Sequence, residues 1–131
     1  MHNTPTPDEL LEVVARYLTE VAMPLLPPAA AFHARVAANA LNVVRRQVAL
    51  GPAQDAAELE RLRALLGPQA VPAGDDLAAA NRALADAIAR GRVDTASPEL
   101  LAHLWQTTLD RLAVDQPGYA SYRAEVGPKA R

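Results

Sequence analysis

Apolar residues in this chain recur at helical intervals, and the pattern breaks where proline and glycine fall. From Pro7 to Ala22, Leu10, Val14, Tyr17, Leu18 and Val21 share one side of a helix of period 3.6, and the pattern predicts that they face inward. Thr6-Pro7-Asp8-Glu9 reads as a capping box with proline at the first helical position. Pro24 is expected to stop this helix, and Pro27-Pro28 to make a stiff corner. A second helix is predicted from about Ala29 to Leu50, ending at Gly51-Pro52, and a third from about Ala53 to Leu66, ending at Gly67-Pro68. Leu59, Leu62, Leu65 and Leu66 give the third its apolar side, and Gln69 to Gly74 reads as a loop prone to disorder. Asp75 or Asp76 caps a fourth helix carrying Leu77, Leu84 and Ile88 on one face, terminated by Gly91. Ser97-Pro98-Glu99 starts a fifth, with Leu101, Leu104, Trp105, Leu109 and Leu112 as its apolar side. After a turn at Asp115-Gln116-Pro117-Gly118, Tyr119 to Glu125 makes one short helical turn.

No stretch alternates with period two, so the predicted class is all-α. The short connections predict a compact bundle of about five helices plus a short C-terminal helical turn. Residues 1–131 are expected to form a single helical domain, with 1–6 and 126–131 flexible.

Composition narrows the functional classes. Half of the 131 residues are hydrophobic but only 4% are aromatic, and alanine, the best helix former, supplies much of the apolar content. A formal charge of −2 without a basic block argues against nucleic acid and against an anionic membrane surface as partners. The chain has no cysteine, which excludes disulfides, a thiol nucleophile and thiolate metal sites. The start, Met1-His2-Asn3-Thr4-Pro5-Thr6-Pro7, lacks the basic and apolar regions of a signal peptide, and no apolar run approaches the ~20 residues of a membrane span. A cytoplasmic protein is expected.

Candidate chemistry is sparse. There is no glycine-rich phosphate loop, nucleophile elbow, His-Glu-x-x-His or calcium loop. His2 lies in the N-terminal tail, His33 near an apolar helix side, and His103 on the polar side of the fifth helix. No histidine or carboxylate stands three or four residues after His33 to share a metal. No catalytic residue, cofactor or metal is therefore predicted, and the chain is read as not an enzyme.

Two patches look made for contacts. Arg35, Asn39, Asn42 and Arg46 line one face of the second helix, where asparagine is a poor interior choice because its amide competes for backbone hydrogen bonds. That stripe is either a solvated face or a partner surface. Near the end of the chain, Tyr122 and Arg123 belong to the side-chain types favoured at interface hot spots. Tyr119 and Asp115 beside them read as a core cover and a cap.

The Pro7-x-Glu9-Leu10-Leu11 start, Phe32-His33-x-Arg35-Val36-Ala37-x-Asn39, Asn81 followed by Ile88 and Gly91, and Asp115-x-Pro117-x-Tyr119-x-x-Tyr122 together resemble one bacterial family. It is an uncharacterised-domain family of small proteins usually encoded beside aminoglycoside-phosphotransferase-like kinases and acyl-CoA dehydrogenases. The resemblance implies a non-catalytic accessory or regulatory subunit of such a kinase, acting on hydroxyacyl-CoA substrates in short-chain acid catabolism. It also implies the neighbouring acyl-CoA dehydrogenase pathway proteins as further partners. The residues leave open a stand-alone small-ligand-binding protein or enzyme with an interhelical pocket near His33, Arg35 and Asn39, and a homo-oligomer when the chain is alone.

Overall fold

A computed structural model describes residues 5–128, and among them every regular element is helical. The α-helices are α1 (Pro7–Arg16), α2 (Pro28–Leu66), α3 (Leu77–Ala89), α4 (Pro98–Asp115) and α5 (Ala120–Val126). None is long and apolar enough to cross a membrane. The chain divides into two compact units, one ending at Gly51 and one starting at Pro52. Most of the termini expected to be flexible, including His2, lies outside the described residues.

In the first unit the N-terminal capping box forms as its residues predict. The Glu9 amide donates to the Thr6 hydroxyl at 3.3 Å, and the Thr6 amide donates to the Glu9 carboxylate at 2.7 Å. The Thr6 backbone amide, and after it the Thr6 hydroxyl, holds the Glu9 carboxyl below its ordinary value. Pro24 does not end the winding at Ala22. The chain passes from α1 into a π-helical segment, Tyr17–Ala22, and then a 3₁₀ turn, Met23–Leu25, before Leu26 becomes extended. The Thr19 hydroxyl donates back to the Ala15 and Arg16 carbonyls at 3.1 and 3.2 Å, a competition with the backbone ladder that suits a locally widened helix.

The roll of α1 differs from the expected one. Leu10, Val14, Tyr17 and Val21 are exposed, and only Leu18 of the expected inner set is half-buried. The inner face is instead Asp8, Leu11, Glu12, Ala15 and Leu18, at steps of three and four. On that face the Arg45 guanidinium of α2 donates to both oxygens of Asp8, at 2.9 and 3.1 Å, and to Glu12 at 3.3 Å. Among the described residues of this unit the buried apolar side chains are alanines, Ala15, Ala34 and Ala38, whose small size permits close helix approach.

The expected break at Gly51-Pro52 is absent, and α2 runs through both residues. Proline normally clashes with the β-carbon and amide of the residue before it, which disfavours helix there. Gly51 has no β-carbon, so that part of the clash disappears, while the hydrogen bond that a residue 52 amide would give is lost.

The second unit carries the larger apolar core. Leu62, Val71, Ala80, Leu84 and Leu100 are buried together, flanked by Leu59, Leu65, Leu66, Leu77, Ala83, Ile88 and Val93. Helix α2 terminates at Gly67, whose φ of +81° requires glycine. The 67–76 connection is a loop as expected, yet it is anchored: Val71 is plugged into the core, and Arg63 donates to the Ala73 carbonyl at 3.1 Å. Asp76 caps α3 and Ser97 caps α4, accepting from the Ala79 and Leu100 amides. Gly91, at φ +65°, closes α3 in a Schellman arrangement, with Arg92 N–H to Ala87 C=O at 2.8 Å and Gly91 N–H to Ile88 C=O at 3.0 Å.

Leu62 has no exposed surface, so Leu62→Ala should lower the unfolding free energy by about 2–5 kcal/mol. Leu25→Ala, at a site 81% exposed, should change it by less than about 0.5 kcal/mol. Urea titrations followed by circular dichroism measure both.

Candidate functional site

The second unit holds a polar seam between helices where an apolar one would be expected. Gln54, Glu58 and Arg61 stand at steps of four and three on α2, and His103, Thr107 and Asp110 repeat that spacing on α4. Arg61 Nη2 donates to Asp110 Oδ2 at 3.1 Å and to the Thr107 hydroxyl at 3.4 Å. Gln54 Nε2 donates to the Asp110 carbonyl at 3.0 Å, and Gln106 Nε2 to Asp110 Oδ1 at 2.9 Å. From α3, Asn81 Nδ2 donates to Glu58 Oε1 at 2.8 Å and to the Leu77 carbonyl at 3.2 Å. Glu58 is 7% exposed and His103 4%, so both must be satisfied by neighbours or carry a desolvation cost.

Two atoms of the seam are not satisfied: His103 Nδ1 and Arg61 Nε are buried without a hydrogen-bond partner. Both residues line a cleft of about 500 Å³ whose other walls include Ala64, Leu65 and Ala102. Burial pushes the His103 imidazole below its ordinary pKa, the nearby Arg61 charge pushes the same way, and Glu58 opposes them. The imidazole is therefore neutral at pH 7, with one nitrogen able to donate and one to accept.

The sequence reading placed His103 on the polar side of its helix, and the structure turns it inward. Of the apolar side predicted for α4, Leu101, Leu104 and Trp105 are exposed and Leu109 and Leu112 half-buried, while Leu100, His103 and Val114 are buried. The signal that would have found the seam was the repeated four-and-three spacing of polar residues on two helices, which hydrophobic periodicity does not count.

The residues selected from sequence fall in two places. Arg35, Asn39, Asn42 and Arg46 lie on one stripe of α2 in the first unit, Arg35 and Asn39 exposed and Asn42 and Arg46 half-buried. Asn42 borders a cleft of about 210 Å³ shared with Glu12, Thr19 and Arg45. Neighbouring Arg45 crosses to the carboxylates of Asp8 and Glu12 on α1. It holds the Asp8 carboxyl below its usual range, chiefly through the hydrogen bond and against a smaller effect of burial. Exposed His33 meets Phe32 edge to face, ring centroids 5.7 Å apart. In the second unit Tyr122 is half-buried and Arg123 exposed, and both edge a concavity of about 530 Å³ with Pro117, Gly118 and Val126.

His103 generates a pH dependence. Its pKa is lower in the folded than in the unfolded protein, so the unfolded state takes up a proton first as pH falls. Stability should be full above about pH 6.5 and decline below it, so that melting at about pH 5.5 is lower than at about pH 7.5. The lowered Asp8 and Glu9 carboxyls lose their contribution only at more acidic pH. His103→Gln should flatten the melting profile between the two values in a thermal scan.

A family described as "Domain of unknown function (DUF6285)" matches residues 24–119. No curated protein and no solved structure is detectably similar to the chain. The matched range contains α2, α3 and α4 with the whole polar seam, and leaves α1 and α5 outside. With well over half of its length matched, the chain belongs to the DUF6285 family.

Proposed function

We propose that the protein is a non-catalytic accessory subunit that docks on an aminoglycoside-phosphotransferase-like kinase acting on hydroxyacyl-CoA substrates. The observation that carries a docking role is the outer face of α1 and the winding after it. Leu10, Val13, Val14, Tyr17 and Val21 lie along one side and are each about half exposed or more. Apolar residues scattered singly are normal on a surface, but a continuous apolar face is the mark of a contact site. Leu101, Leu104 and Trp105 repeat the pattern on α4. The kinase, the acyl-CoA substrate and the link to acyl-CoA dehydrogenase pathway proteins rest on the family resemblance of the sequence.

On this reading Arg35, Asn39, Asn42 and Arg46, with Tyr122 and Arg123, supply the polar contacts around the apolar anchors. Anchors carry most of the energy in such interfaces, and rim polar groups set register and specificity. The absence of a phosphate-binding loop in the sequence supports a helper rather than a kinase.

Co-expression with the neighbouring kinase and size exclusion test the reading, and a single co-eluting complex is expected. Tyr17→Glu should abolish co-elution. Tyr122→Ala and Arg35→Ala should each weaken the complex by about 1–3 kcal/mol while leaving the melting temperature of the free protein unchanged. Two separate peaks with a folded, active kinase would overturn the proposal.

A further inference from the structure

We infer that the outer stripe of α2 in the first unit pairs with the same stripe of a second copy of this chain, antiparallel and two-fold symmetric about Ala40. The inference is independent of the docking role, because the stripe is on the side of α2 turned away from α1. Phe32, Val36, Ala40, Val44 and Val48 follow one another at steps of four, and all five are exposed. The opposite side of the helix carries buried Ala34 and Ala38, and Arg45 with its bonds to Asp8 and Glu12 of α1. The solvent side of such a helix is expected to be polar, and this stripe is apolar throughout.

The order of the side chains selects the occupant. Outward from Ala40, a valine stands four residues away in both directions, at Val36 and Val44. A large apolar residue stands eight away in both directions, at Phe32 and Val48. A row that reads alike from either end is what an antiparallel two-fold contact requires, since each residue before the axis must suit its counterpart after it. Val36 then lies against the partner's Val44, and Ala40 against its own copy. Rows at steps of four are the ridges that interlock in the commonest class of helix pair, crossed at about 50°. Alanine at the crossing lets the two backbones come close. A partner of different sequence would need no such symmetry.

Charge permits the pairing. The ionic side chains between residues 32 and 48 are Arg35, Arg45 and Arg46, and none is acidic. By helical geometry each points at least about 120° away from Ala40, so no like charges are brought face to face. Exposed His33 and Gln47, seven residues either side of Ala40, are again counterparts, and lie off the diagonal of the crossing where a polar rim belongs.

Four large side chains per copy fall well short of the roughly 20–30 residues a side of a standard interface, so the association is weak and reversible, with a dissociation constant on the order of 100 µM. Sedimentation equilibrium of the full chain, from about tenfold below that constant to about fivefold above it, should show monomer giving way to dimer. Ala40→Glu sets two like charges on the axis and should weaken the dimer at least about tenfold. Ala40 is exposed and glutamate is a good helix former, so melting should not change. Val36→Glu and Val44→Lys should each weaken the dimer about tenfold. Combined in one chain they should associate about threefold or more tightly than either alone, because the antiparallel pair sets each against the other across the contact. Within one chain they stand eight residues apart, too far to meet. A mass that stays monomeric over the whole range overturns the inference. So does an Ala40→Glu protein with unchanged melting and unchanged association, or a combined variant no better than either single one. Loss of kinase co-elution with Ala40→Glu while the dimer persists would give the stripe to the kinase and equally defeat the inference.

Discussion

The contact between Arg61 and Asp110 decides which way α4 faces. Their side chains are 27% and 20% exposed, so each ion has lost much of its water and depends on the other. Asp110 accepts from three side chains, two at its carboxylate and one at its backbone carbonyl, and all but Gln106 come from α2. Removing one partner would leave the other charge uncompensated in a half-buried site. Against that constraint, the preference of Leu101, Leu104 and Trp105 for the interior loses. They ride on the outer side because the polar residues a turn away claim the inner one.

The first unit obeys the same logic with different residues. Arg45 plays the part of Arg61, and Asp8 and Glu12 on α1 play the part of Asp110. Alanines fill the space between, and larger apolar residues are displaced outward. In both units an arginine on α2 bonds to a carboxylate on a neighbouring helix, and apolar surface is left on the outer side.

Helix ends are legible in sequence because capping is local. Thr6 with Glu9, Asp76, Ser97, Gly67 and Gly91 each act through groups a few residues away, and each appears in the structure where its pattern places it. The all-α class follows from the same local signals. The roll of each helix does not, since it depends on which charges meet across helices. The polar stripe from Arg35 to Arg46 shares a face as its spacing requires, yet nothing in its spacing tells that neighbouring Arg45 makes the crossing bonds. His103 was missed for a related reason: a histidine among leucines is assigned to solvent unless the acid and base groups awaiting it are known. Gly51-Pro52 reads as a stop because the rule for proline assumes a β-carbon before it.

The π segment from Tyr17 to Ala22 takes up chain length without changing the direction in which the helix faces. Its wider winding takes up more residues per turn than an α-helix. Losing one residue there would let the segment return to ordinary winding, and the side chains after it would keep nearly their present direction relative to α1. A codon can therefore be lost at this point while the surface on either side keeps its aim, so the winding absorbs a change of length that an ordinary helix would turn into a change of direction.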